Sequence, residues 1–169
     1  MEGRRPIFGS SVARKQLREA FASVRRKHPF DIAAIVLIPD HFHLVVTLPV
    51  NDFDYSTRLR LIKRQFTQRH LSAGGRESNV SSSRRRSGER GIWQPRFWEH
   101  ACRDESDVER CVDYVHWNPV KHGLAESPIE YPYSSFHRHV EEGTYPKDWI
   151  ASSDCRQLEC RNEKVMGSF

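Results

Sequence analysis

Two histidines separated by one residue, His41 and His43, stand in a run that is otherwise apolar, with Phe42, Leu44, Val45, Val46 and Leu48 around them. In a strand, side chains alternate between faces. The imidazoles then share a face with Val45 and Thr47, while Phe42, Leu44, Val46 and Leu48 turn the other way, toward a core. Residues two apart on a strand face stand roughly 6.5–7 Å apart at Cα, near enough for both rings to hold one metal ion. Two polar residues on an exposed face give the same pattern. Farther on, Tyr114 and Asn118 lie four apart in a stretch of helical periodicity, hence on one face. An asparagine oxygen suits a divalent ion already held by two imidazoles, and a phenol one turn away would sit beside it. This is the equipment of a nuclease that forms a phosphotyrosine, with a cation to polarise the scissile phosphate and a phenol oxygen to attack it. A buried tyrosine bonded at its hydroxyl, with an asparagine stopping a helix before Pro119, is the other reading of the same residues.

These side chains need elements to hold them. The apolar runs 35–38 and 41–48 flank Pro39-Asp40 and read as a hairpin. Before it, Ser10 or Ser11 caps a helix to about Lys27, with Ala13, Leu17, Ala20, Phe21 and Val24 as its apolar stripe. His28-Pro29 ends that helix. After the hairpin, Asp54 or Ser56 caps a helix over about 55–70, with Tyr55, Leu59, Ile62 and Phe66 on one side and many cations elsewhere. Such a helix suits a phosphate-facing surface or a plain solvated one. Residues 71–91 are Ser, Gly and Arg with little to bury, which predicts a flexible basic loop. A strand is expected around 97–102. Asp104 then caps a helix from about Glu105, with Val108, Cys111, Val112 and Val115 on its core face, stopped near Asn118 by Pro119. The remainder is turn-rich with one or two short helices. One domain is expected over 1–150, with a loose tail over 151–169.

The totals narrow the class of partner. The 169 residues carry 27 Lys and Arg against 22 Asp and Glu, a net charge of +5. A pI near 9.2 favours a polyanion, nucleic acid first. Four Trp, five Tyr and nine Phe offer flat faces for unpaired bases. Cys102, Cys111, Cys155 and Cys160 form no C-x-x-C pair, so neither a zinc ribbon nor a redox motif is indicated. Nothing reads as a signal peptide and no apolar run approaches membrane length. The expectation is a cytoplasmic, nucleoid-associated protein with no membrane contact and no required protein partner.

Four motifs, taken together, resemble a known family. Pro39-Asp40-His41-Phe42-His43-Leu44 is similar to the His-hydrophobic-His motif of HUH single-tyrosine, IS200-like transposases. Tyr114-Val115-His116-Trp117-Asn118-Pro119-Val120-Lys121-His122-Gly123-Leu124 resembles the tyrosine helix of their REP-associated branch, as do the stretches 91–100 and 131–138. The resemblance covers about residues 10–149. It implies an α+β fold, a ferredoxin-like antiparallel sheet with helices on one face. Because 4–8 is a poor strand, either the start is truncated or the sheet lacks its first strand.

The resemblance also implies cleavage and rejoining of single-stranded DNA beside a palindromic hairpin, through a 5′-phosphotyrosine. Tyr114 matches the nucleophile, His41 and His43 the metal pair, and Asn118 the third ligand. The ion is expected to be Mg²⁺ or Mn²⁺, with Mn²⁺ the tighter because imidazole is somewhat soft for Mg²⁺. Cations expected to meet the DNA are Arg58, Lys63 and Arg64 of the second helix and Arg84, Arg85, Arg86 and Arg90 of the loop, together with Arg96 and Lys121. The alternative is an inactive or domesticated protein that holds hairpin DNA without cutting it, since the same basic surfaces would serve.

Overall fold

The structure is a computed structural model that describes residues 5–94 and 99–152. Its elements in order are a 3-10 turn Ile7–Gly9, α1 (Ser11–Lys27), β1 (Asp31–Leu37), β2 (Phe42–Thr47), α2 (Tyr55–Ser72), α3 (Ser82–Arg86), α4 (Glu105–Lys121), a 3-10 turn Pro128–Glu130 and α5 (Phe136–Glu141). They belong to two compact units, one of Met1–Pro6, Asp31–Thr47 and Trp98–Phe169, the other of Ile7–Phe30 and Leu48–Phe97.

The first unit is built on the hairpin. β1 and β2 pair antiparallel, with Val36 opposite His43, Ala34 opposite Val45, and an irregularity between Ile32 and Ala34. Directly opposed residues project to the same side. Val36 and Ala34 are fully buried and cluster with Ile38, Val112, Val115 and Tyr131, with Val45 packed against them. α4 therefore lies on the histidine face. The sequence reading put the core on the face of Phe42, Leu44 and Val46; those three are only half-buried. Alternation fixes which residues share a face but cannot say which face a later helix will cover.

The outer edge of β1 is closed by the segment after α4. Val36 bridges Ser134, Leu37 N–H donates to Tyr133 O at 2.9 Å, and Ser135 N–H donates to Ile35 O at 2.8 Å. Tyr131 hydroxyl donates to Leu37 O at 2.7 Å, and Arg138 donates to the carbonyls of Ile32 and Ala33. An unpaired strand edge invites association, and this segment covers it. Among the described residues the sheet has two strands plus that bridge. Among the described residues, 5–9 contribute no strand; Ile7–Gly9 form a 3-10 turn. The strand expected around 97–102 is not seen at 99–102, and 97–98 lie outside the described residues.

α4 runs past its expected end. Pro119 sits inside it, and the stop comes at Gly123, whose φ is +64°. Gly123 N–H reaches Val120 O at 3.0 Å and Leu124 N–H reaches Pro119 O at 2.8 Å. This is the paired closure of a helix end around a left-handed glycine. Pro119 has no N–H to offer Val115 O and its ring crowds that carbonyl, yet the helix continues past it to the glycine closure.

The second unit holds α1, α2 and α3. Ala13, Leu17, Ala20, Phe21 and Val24 of α1 are buried, as are Ile62 and Phe66 of α2. Phe66 meets Phe8 and Trp93 with ring centres 5.4 and 5.2 Å away. Trp93 is fixed by its indole N–H on Thr67 Oγ1 at 3.0 Å. Asp54 caps α2 by accepting from Thr57 N–H at 3.0 Å. The stretch 71–91, expected as a flexible basic loop, contains α3, capped by Ser81. No helix of the described residues is long and apolar enough to cross a membrane.

Candidate active site

His41 immediately precedes β2 and His43 is its second residue, so both rings project toward α4. Their Nε2 atoms are 3.1 Å apart and the rings meet edge to face. Two neighbouring nitrogens about 2.1 Å from one ion, at right angles, stand roughly 3 Å apart. The pair therefore fits a shared cation. Asp40 Oδ1 accepts from His41 Nδ1 at 2.6 Å. A carboxylate on one ring nitrogen fixes the tautomer that leaves the other nitrogen as a metal donor. In the sequence Asp40 reads as a turn residue; its place beside the first histidine was the available signal.

α4 faces the pair with one row of residues, Tyr114, Asn118 and His122, each a turn after the last. The Tyr114 ring stands edge-on to His43 with centres 5.5 Å apart, and the His122 ring stands edge-on to His41 at 5.2 Å. Ring nitrogens of His41, His43 and His122 lie within 4.8 Å of one another. His122 was missed as a site residue, because a helix ended at Asn118 cannot carry the row another turn. Asn118, between the two, is 1% exposed. Its Nδ2 donates to Tyr114 O at 2.7 Å, and its buried Oδ1 has no hydrogen-bond partner. An orphaned buried carbonyl costs about 1–3 kcal/mol. A hard oxygen donor so placed suits a divalent cation.

Lys121 holds its ammonium 5.4 Å from the centre of the Tyr114 ring, on the same helix. Behind the row, His116 is fully buried, its Nε2 2.8 Å from Ser135 Oγ. Burial, with His139 and Arg138 nearby, pushes its imidazole down to about 3. Asp113 is pushed up by burial, opposed by a short hydrogen bond from the Tyr145 hydroxyl.

The other expected DNA contacts divide. Arg58 is corrected: it is 6% exposed and its guanidinium donates to Asp52, Pro29 O and Asp54 O. With its donors already bonded inside the protein it ties the start of α2 in place and cannot face a phosphate. Asp52 is held below the usual carboxylate range by that guanidinium first of all. Lys63 is half-buried with its ammonium 5.7 Å from the Trp93 ring centre, and burial lowers its pKa. Arg84 pairs with Glu89 at 2.7 Å, and Arg90 and Arg85 share Glu77 at 3.1 and 4.0 Å. Arg64 and Arg86 are exposed. Arg96 lies outside the described residues.

Comparison with known proteins gives the same family from three directions. Residues 1–118 match the family described as Transposase IS200 like. A REP-associated tyrosine transposase of Haemophilus influenzae is 43% identical over 141 residues, 83% of this chain and 78% of that one. Its counterpart in Escherichia coli K12 is 44% identical over 135 residues, 80% and 72% of the two chains. A solved structure of a REP-associated tyrosine transposase bound to a REP hairpin superposes with a TM-score of 0.72 and 40% identity, covering 89% of this chain and 81% of that one. With a family match over most of the chain and relatives above 40% identity along most of their own length, the chain belongs to the IS200-like transposases, enzymes here of the REP-associated tyrosine branch.

Proposed function

We propose that this protein cuts and rejoins single-stranded DNA beside a palindromic hairpin, with Tyr114 as nucleophile. The observation that carries the proposal is the convergence of the His41 and His43 Nε2 atoms, 3.1 Å apart, with the Tyr114 ring against His43. A solved relative is bound to a REP hairpin, which supports the choice of DNA. His41 and His43 would hold Mg²⁺ or Mn²⁺, with Asn118 Oδ1 and the His122 ring as further donors from α4. When bound, that ion supplies Lewis acidity at the scissile phosphate.

Tyr114 Oη forms the new bond to phosphorus, and the bond from phosphorus to the 3′ oxygen breaks. The phenolic proton is released, and the departing oxygen takes up a proton to become a 3′-OH. The strand's 5′ phosphate remains esterified to Tyr114. Attack by another 3′-OH reverses the exchange and rejoins DNA with no external energy source, because one phosphodiester replaces another. Lys121 places a cation next to the tyrosine for the phosphate's charge, and Asp40 holds the His41 ring in position.

The test is a 3′-labelled hairpin oligonucleotide from DNA flanking the gene, incubated with protein and Mn²⁺ and run on a denaturing gel. A slow band that Tyr114→Phe and EDTA each abolish is the expected result. Hairpin binding with no adduct on any of several flanking hairpins would replace this reading with that of a binding protein. Mn²⁺ titration of Asn118→Ala and His122→Ala identifies the donors from α4; the weaker binder names the ligand.

A further inference from the structure

A second cluster of metal-binding side chains lies in the hairpin unit, at the start of α4 and one turn before Tyr114. His100 and Cys102 come from the segment leading into the helix, and Cys111 comes from its second turn. One ring nitrogen of His100 and the two Sγ atoms lie within 4.8 Å of one another. The thiols are 3.7 Å apart. Two thiolates each about 2.3 Å from a tetrahedral ion stand roughly 3.8 Å apart. A disulfide would need them at about 2.05 Å. The spacing is that of two ligands on one ion.

The surroundings suit an ion as well. His100 Nε2 is 2.9 Å from Asp107 Oδ2. A carboxylate behind an imidazole is the arrangement that orients metal-bound histidines and raises their basicity. Asp107 is itself 5% exposed and fixed by Arg103 N–H at 3.1 Å and Arg110 at 3.2 Å, so it holds the ring rigidly. Cys102 and Cys111 are half-buried and His100 is exposed, which leaves the cluster open on one side for a solvent molecule as fourth ligand.

We propose that His100, Cys102 and Cys111 bind a zinc ion that fastens the segment before α4 to the helix. Two thiols and an imidazole select zinc over the Mg²⁺ or Mn²⁺ suited to the histidine and asparagine donors of the other site. The reading is independent of the nuclease proposal, because the two sites share no ligand.

The test uses full-length protein carrying His41→Ala, His43→Ala, Cys155→Ser and Cys160→Ser, so that neither the His41–His43 pair nor another cysteine contributes. Zinc retained after dialysis is counted by elemental analysis. Co²⁺ is then exchanged in and the thiolate-to-cobalt charge-transfer absorption recorded. The expected result is one ion per chain and a charge-transfer band that disappears in Cys102→Ser and in Cys111→Ser. In His100→Ala the affinity falls at least tenfold, and circular dichroism stays unchanged. His100 is exposed, so that variant reports even if a cysteine variant does not fold. A chain that retains no zinc, a band that survives both cysteine replacements, or a native mass two hydrogens short from a Cys102–Cys111 disulfide would overturn the proposal.

Discussion

Asp40 illustrates how much of the site rests on single atoms. Its carboxylate sits 2.6 Å from His41 Nδ1, which in the proposed metal site leaves Nε2 as the donor to the ion. Asp40→Asn keeps an oxygen acceptor but removes the charge. Loss of such an orienting partner typically weakens metal binding 10–100-fold. Calorimetric titration with Mn²⁺ should show that weakening, with adduct formation recovered in excess Mn²⁺; an unchanged dissociation constant would remove Asp40 from the site. The histidine pair, Tyr114 and Asn118 were legible in the sequence because two-residue and four-residue spacings translate directly into shared faces. His122 was not, because its place depends on where a helix ends. Arg58 misled for another reason. A cation on a helix reads as solvent-facing unless its acceptors are known, and Pro29 O and Asp54 O are backbone groups that no sequence pattern marks.

At the level of elements, the ends of helices decide what they present. α1, α2 and the start of α4 were legible from apolar periodicity and their flanking polar residues; Asp54 and Asp104 cap as expected, whereas Ser10 stands at the N-cap of α1 without a side-chain bond. The far end of α4 was misread because Pro119 was given more weight than Gly123, where the chain turns left-handed and the helix closes. Gly123→Ala should cost about 1–2 kcal/mol, since a Cβ meets open space there but the left-handed backbone strains it. Thermal unfolding would show it, and Mn²⁺ affinity should fall with it if His122 is a ligand. Arg58 performs the corresponding task at the start of α2. Arg58→Ala should destabilise by about 2–3 kcal/mol, as partners of a buried charge lose their donors. A lower urea midpoint with unchanged slope is the expected signature. The face of the hairpin that α4 covers was beyond the sequence, because the helix that decides it is remote in the chain.

For the whole molecule, charge and pH give two tests. Hairpin affinity should fall steeply with salt, as phosphate contacts release counterions. Arg86→Ala, at an exposed cation, should weaken binding to all sequences alike and reduce the salt slope by about one, whereas Arg58→Ala should leave the slope unchanged. Stability should fall in mild acid. In the unfolded chain His116 takes a proton near its ordinary 6.5, and in the folded chain only near 3. The unfolded state therefore binds more protons between those values, so this stability is whole above pH 6.5 and is lost as pH falls toward 3. About 2 kcal/mol should be missing at pH 5 relative to pH 8 in urea titrations, and His116→Gln should flatten that difference. Asp107, whose carboxyl is held well below its ordinary 3.8 chiefly by Arg103 N–H and His100, adds a further loss in stronger acid.

The two units are interleaved along the chain, and this has a bearing on synthesis. A ribosome releases the hairpin with His41 and His43 early, then the whole of α2 and α3, and only afterwards the helix that carries Tyr114. Folding that proceeds from the N-terminus can complete the helical unit first, but the hairpin must wait for a partner far along the message. A nascent chain stalled before Glu105 therefore displays its two imidazoles without Tyr114 beside them. The proposed chemistry requires that translation of the tyrosine helix be finished.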